Sequence, residues 1–121
     1  MNVTTDILAG PFKYSPKGKL VMSRYAVDGT IALLIVDPET SAPLLTASVN
    51  IEGANLEPDE ICIKDWSENE GCADALVGAG VLEETEKFFP TGYVVAGVYK
   101  IVGPLVDWLD KLPSHEEFEA A

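Results

Sequence analysis

Cys62, Cys72 and His115 are the side chains in this sequence best suited to act as nucleophile, base or soft metal ligand. A thiolate nucleophile needs a base beside it, and the sole histidine lies in the C-terminal tail. Ser114 adjoins it, but a frayed end does not present a triad. Structural zinc takes a full tetrahedral set of ligands, which three dispersed Cys and His residues do not supply. Carboxylates are the other chemically capable groups. Glu57-Pro58-Asp59-Glu60 is dense in them, yet a calcium loop needs about six oxygens in a spaced alternation around a glycine turn. Ser67-Glu68-Asn69-Glu70 has the spacing of a capping box, in which a serine and a glutamate satisfy the first amides of a helix. No glycine-rich loop opens a helix after a strand, so nothing cradles phosphate. The residues therefore predict no catalytic, cofactor or metal site, and a protein that is not an enzyme.

What remains is charge. The 121-residue chain has a net charge of −12, unevenly spread. Residues 1–51 balance four acids against four bases, whereas residues 52–86 carry eleven acids and Lys64 alone. Residues 87–106 contribute Lys87 and Lys100, and residues 107–121 hold five acids and Lys111. Such a field solubilises the chain, and it also steers basic partners. Direct binding of nucleic acid is excluded, because phosphate contact demands clustered lysines and arginines. Two cysteines in a chain of this length are too few for a disulfide scaffold, so both are expected as buried thiols in a reducing cytoplasm. The N-terminus lacks the pattern of a signal peptide. The longest apolar run, Ile31 to Val36, is strand length and far short of the ~20 residues of a membrane helix.

The elements that would position these residues follow from periodicity and punctuation. Tyr14 to Gly18 reads as a turn, Leu20 to Val27 as a strand, and Asp28-Gly29 as a type I′ hairpin turn. Thr30 to Val36 is apolar on both faces, as a central strand is. Leu44 to Ile51 alternates, with Leu45, Ala47, Val49 and Ile51 on one side. A short strand at Ile61 to Lys64 precedes a helix capped by Ser67 and ended by Gly80, with Cys72, Ala75, Leu76 and Ala79 as its apolar face. On that helix Asp74 would lie one turn from Glu70, a like-charge pair that stability alone does not favour. Phe89 to Gly92 forms a turn and Tyr93 to Val102 a strand. Gly103-Pro104 opens a second helix whose Leu105, Trp108, Leu109 and Leu112 share a face. The expected architecture is α+β: an antiparallel sheet of four to five strands with one or two helices on one face. Residues 1–121 form one domain, with 113–121 a frayed acidic tail.

Ile63-Lys64-Asp65-Trp66-Ser67-Glu68-Asn69-Glu70-Gly71, Leu76-Val77, Ala79-Gly80-Val81-Leu82-Glu83 and Pro90-Thr91-Gly92-Tyr93-Val94 resemble a family of small bacterial proteins of unknown function. That family is found on plasmids, conjugative elements and phages. The resemblance covers roughly residues 44–100 and implies a mobile-element origin; it carries over no site residues. Small acidic proteins of such elements often inhibit host defence, some by imitating DNA. The leading expectation is thus a non-enzymatic acidic protein that occupies a basic, nucleic-acid-binding surface of a host defence complex, of anti-CRISPR or anti-restriction type. Its candidate partner-binding residues are Glu57, Asp59, Glu60, Asp65, Trp66, Glu68, Glu70 and Asp74. The alternative is an assembly subunit that self-associates through sheet edges and the Leu105/Trp108/Leu112 face. A third class is a small enzyme or immunity-type factor outside these motifs, which a pocket of convergent polar groups would reveal.

Overall fold

A computed structural model describes residues 2–113, so the expectations for Ser114, His115 and the rest of the tail lie outside the described residues. The fold is α+β and its strands are antiparallel, with seven among the described residues divided between two sheets. The first sheet runs β1 (Val3–Ala9), β2 (Gly18–Arg24), β3 (Ile31–Val36) and β4 (Pro43–Thr46) in sequential order. In the second, β7 (Val94–Ile101) lies between β5 (Glu60–Ile63) and β6 (Leu82–Thr91). Helices α1 (Cys72–Gly78) and α2 (Leu105–Lys111) complete the set.

Alternation along the strands decides what each face meets. Leu20 and Met22 of β2 and Ile31, Leu33 and Ile35 of β3 turn one face of the first sheet inward. They meet Ile61, Ile63, Leu82 and Ile101 of the second sheet, with Cys72 and Leu76 of α1 and Leu105 of α2. The opposite residues of the second sheet, Cys62, Ala96 and Val98, form a smaller cluster beneath Val49, Ile51, Leu56 and Trp66. The two sheets join where the chain leaves β4. Ala47 N bonds Leu33 O in the first sheet, and Val49 N bonds Cys62 O in the second. Buried Ser48 sits at the joint, its Oγ accepting from Leu33 N and sharing a 2.8 Å bond with the Tyr25 hydroxyl. That crossing divides the alternation expected for Leu44–Ile51. Leu45 and Ala47 serve the large core, whereas Val49 and Ile51 serve the small one.

Several local expectations give way. The Asp28-Gly29 hairpin forms, but not as a type I′ turn, which needs positive φ at both residues. Only Gly29 has it (φ 74°), and the loop closes wider, Gly29 N bonding Tyr25 O and Tyr25 N bonding Thr30 O. Asp28 instead accepts from Thr30 N and Oγ1. The first turn closes earlier than Tyr14–Gly18, between Phe12 and Ser15. Phe89 and Pro90 belong to β6, and the reversal to β7 falls on Gly92-Tyr93. Proline is tolerated there because β6 is an edge strand.

The capping box does not form. Ser67 lies at φ 56° in a 3-10 turn, Ser67–Asn69, and makes no side-chain cap bond. Glu70 is extended, and Gly71 at φ 89° redirects the chain into α1. Asp65 takes over the role, its Oδ1 accepting from Ala73 N at 3.1 Å. Buried Asn69 anchors the turn by donating to Thr46 O at 2.7 Å. Because Glu70 precedes the helix, it and Asp74 are not the one-turn pair that the spacing predicts. The helix end behaves as expected, with Gly80 at φ 77°. The α2 face also differs from a self-association surface. Leu105 and Leu112 are buried in the core, Trp108 packs against its edge, and Lys111 Nζ stands 4.2 Å from the Trp108 ring centre.

Candidate functional site

The eight candidate residues do not form one cluster, and they differ in whether a lysine pairs with them. Glu60 stands opposite Lys100 in the β5–β7 register, on the face of Cys62 and Val98. It is nearly buried, accepting from Glu57 N at 2.8 Å and from Lys87 Nζ at 2.5 Å. Asp59 lies 3.9 Å from Lys100 Nζ. Glu57 is exposed beside them. This group is cross-linked and partly neutralised. The bonds from the Glu57 amide and the Lys87 ammonium hold the Glu60 carboxyl below the ordinary glutamate value. The ionised form is the stabilised one, so its contribution is whole above a pH of 4.5 and is lost as pH falls through the lowered folded value. Glu60→Gln is therefore expected to be less stable than the parent at neutral pH and to converge on it in acid, read as melting temperature against pH. A constant gap would contradict this role.

Glu68 is also engaged, 2.5 Å from Lys64 Nζ, and that bond lowers its pKa. Trp66 is half-buried over the small cluster rather than free-standing. Asp65, Glu70 and Asp74 are exposed. Among the described residues, no ion pair joins these three to a cation.

Asp65 and Asp74 have a companion that periodicity did not single out. Glu84 of β6 lies directly opposite Tyr99 of β7. Burial raises the Tyr99 phenol above its ordinary value, and the charges of Asp65, Glu84 and Asp74 raise it further. Three carboxylates, from the loop before α1, from α1 and from β6, thus act on one half-buried ring. Cys72 lies beneath them, its thiol pushed up to about 12 by burial and by Asp65. Burial likewise raises Cys62, with the Glu60 charge adding to it. Both cysteines are free and buried. Thiol-specific reagents at pH 8 are expected to label neither until denaturant is added; rapid labelling of the native protein would contradict that burial.

The signal that could have found Glu84 and Tyr99 is strand pairing. Leu82–Thr91 has an irregular exposure pattern, so its sequence does not announce a strand, and without β6 the two residues have no register. Among the described residues, no group of three or more His, Cys, Asp or Glu is arranged to hold a metal ion. Nor is any helix there long and apolar enough to cross a membrane. Comparison with protein-family models, with curated proteins and with solved structures finds no match.

Proposed function

We propose that this chain is a non-enzymatic binding protein of a mobile genetic element. In this reading it acts in the cytoplasm and docks an acidic face on the basic, nucleic-acid-binding surface of a host defence protein, of restriction or CRISPR type. The observation that carries the reading is the contrast between its two groups of acids. Asp59, Glu60 and Glu68 are paired with lysines, as solubilising or stabilising carboxylates are. Glu84 stands opposite Tyr99, the charges of Asp65 and Asp74 act on the same ring, and none of the three is paired with a lysine among the described residues. Concentrating like charge costs stability through self-repulsion, and a basic partner relieves that cost on binding. The self-assembling alternative loses its helical surface, because Leu105 and Leu112 are already buried.

The test is an electrophoretic mobility-shift titration of the protein into DNA-bound restriction endonucleases and CRISPR effector complexes. Release of DNA from at least one of them is expected, weakening as salt rises from about 0.05 to 0.3 M and the Debye length shortens. Undisturbed DNA binding by every complex would contradict the proposal.

A further inference from the structure

The β6–β7 hairpin is irregular where it approaches Tyr99. Glu84 pairs with Tyr99 and Phe88 with Gly97, so Thr85, Glu86 and Lys87 stand opposite Val98 alone. The bulge opens a cleft of about 510 Å³ lined by Glu84, Phe88, Gly97 and Tyr99. Its shape is held from within, because Thr85 Oγ1 donates to Val98 O at 2.6 Å and accepts from Lys87 N at 3.1 Å. Gly97 forms part of the wall for a steric reason. A Cβ there would lie 3.1 Å from the Tyr99 ring, so the missing side chain lets that ring lie along the strand. Phe88 is 65% exposed across the sheet from it. Lys87 lines the same cleft, but its ammonium is taken by Glu60.

We propose that this cleft is a docking groove for an arginine side chain of the protein partner, stacked on the Tyr99 ring and met by the Glu84 carboxylate. The inference rests on the acidic-docking reading above and specifies the chemistry of its contact. Charge complementarity selects a cation, since Asp65 and Asp74 add their field to that of Glu84. The aromatic lining selects guanidinium over ammonium, because a planar, weakly hydrated cation stacks on a ring while also bonding a carboxylate. A second copy of the chain does not supply the group. Its only arginine, Arg24, donates to Pro113 O through Nε and to Gly29 O through Nη1.

Acetyl-Gly-Arg-Gly-amide and its lysine counterpart are titrated into the ¹⁵N-labelled protein and followed by amide shifts. The arginine peptide is expected to move Glu84, Gly97 and Tyr99, and to bind several-fold more tightly than the lysine peptide. Tyr99→Leu should weaken it about tenfold and Glu84→Gln about threefold, in line with a partly desolvated cation–π contact and a single charge pair. Glu84 is exposed, so Glu84→Gln decides the matter if Tyr99→Leu does not fold. Equal binding of the two peptides, shifts confined to other residues, no shift at all, or indifference to Glu84→Gln overturns the groove. The two proposals fail separately. DNA release that persists without peptide binding in the cleft sinks the groove and leaves the acidic face standing. Specific peptide binding with no DNA release from any complex does the reverse.

Discussion

A variant carrying Asp65→Asn, Glu70→Gln, Asp74→Asn and Glu84→Gln is expected to stay folded and to require roughly a hundredfold more protein to release DNA. The magnitude follows from about 0.7 kcal/mol for each exposed charge pair across an interface, summed over four sites and converted at about 1.4 kcal/mol per decade. Folding should survive because the four side chains are exposed, and because asparagine at position 65 retains the oxygen that accepts from Ala73 N. Relief of like-charge repulsion works in the same direction. Single members of the set should each weaken release only modestly, and their effects should add where the sites do not touch. A hot-spot interface behaves otherwise, with one residue abolishing binding. Trp66 is the residue to compare. It packs on Cys62, Ala96 and Val98, so Trp66→Ala should lower the melting temperature as well as any affinity it affects. Full loss of release from a folded Trp66→Ala protein, together with normal release by the fourfold variant, would contradict the charge account.

Gly103→Ala is expected to be strongly destabilising, lowering unfolding free energy by about 3 kcal/mol or more. Gly103 adopts φ 60°, and an added Cβ would collide with the carbonyl oxygen of Gly80. Left-handed backbone alone costs an L-residue about 1–2 kcal/mol, and the obstacle here is another backbone rather than a side chain that can swing away. Gly80→Ala is the matched control. It shares the positive φ, at 77°, but a Cβ there meets nothing within 4 Å. Denaturant melts should place the control near the conformational penalty and Gly103→Ala well beyond it. Equal losses would show that the close approach of the two turns carries no energy. This contact matters to the site indirectly, because it locks the start of α2 to the segment that leads from α1 into β6, beside the bond from Val102 N to Val81 O.

The parts of the fold that could be read in the sequence are those with strong local signals. The continuous apolar run Ile31–Val36 became a strand buried on both faces except at Leu34, and the Gly103-Pro104 start and Leu105/Leu112 spacing became α2. The β5 strand and the Gly80 helix end also stand where the punctuation places them. Elements fixed by strand pairing rather than by a local signal were not legible. β6 carries six exposed residues in ten and a proline, and only pairing with β7 makes it a strand. β1 is similar, with Thr5 turned inward to bond Leu20 O where an apolar residue would be expected. The capping box failed because Asn69 finds Thr46 O, a partner 23 residues away, and that bond fixes a turn incompatible with a helix starting at Ser67. For the site, composition identified the acidic segment and named Asp65 and Asp74. It could not tell these from Asp59, Glu60 and Glu68, because ion pairing with Lys100, Lys87 and Lys64 is a property of the folded chain. Glu84 and Tyr99 required the register itself.

In this account docking is electrostatic and is made by Asp65, Glu70, Asp74 and Glu84 rather than by Glu57, Asp59 and Glu68. It is tested most directly by the salt dependence of affinity for whichever defence complex releases DNA, measured in parallel for the parent, the fourfold variant and a control carrying Glu57→Gln, Asp59→Asn and Glu68→Gln. The slope of log affinity against log salt should be steep for the parent, unchanged in the control and clearly shallower in the fourfold variant, because screening acts on the charges that make the contact. Equal slopes in all three proteins, or a control that loses as much slope as the fourfold variant, would contradict it.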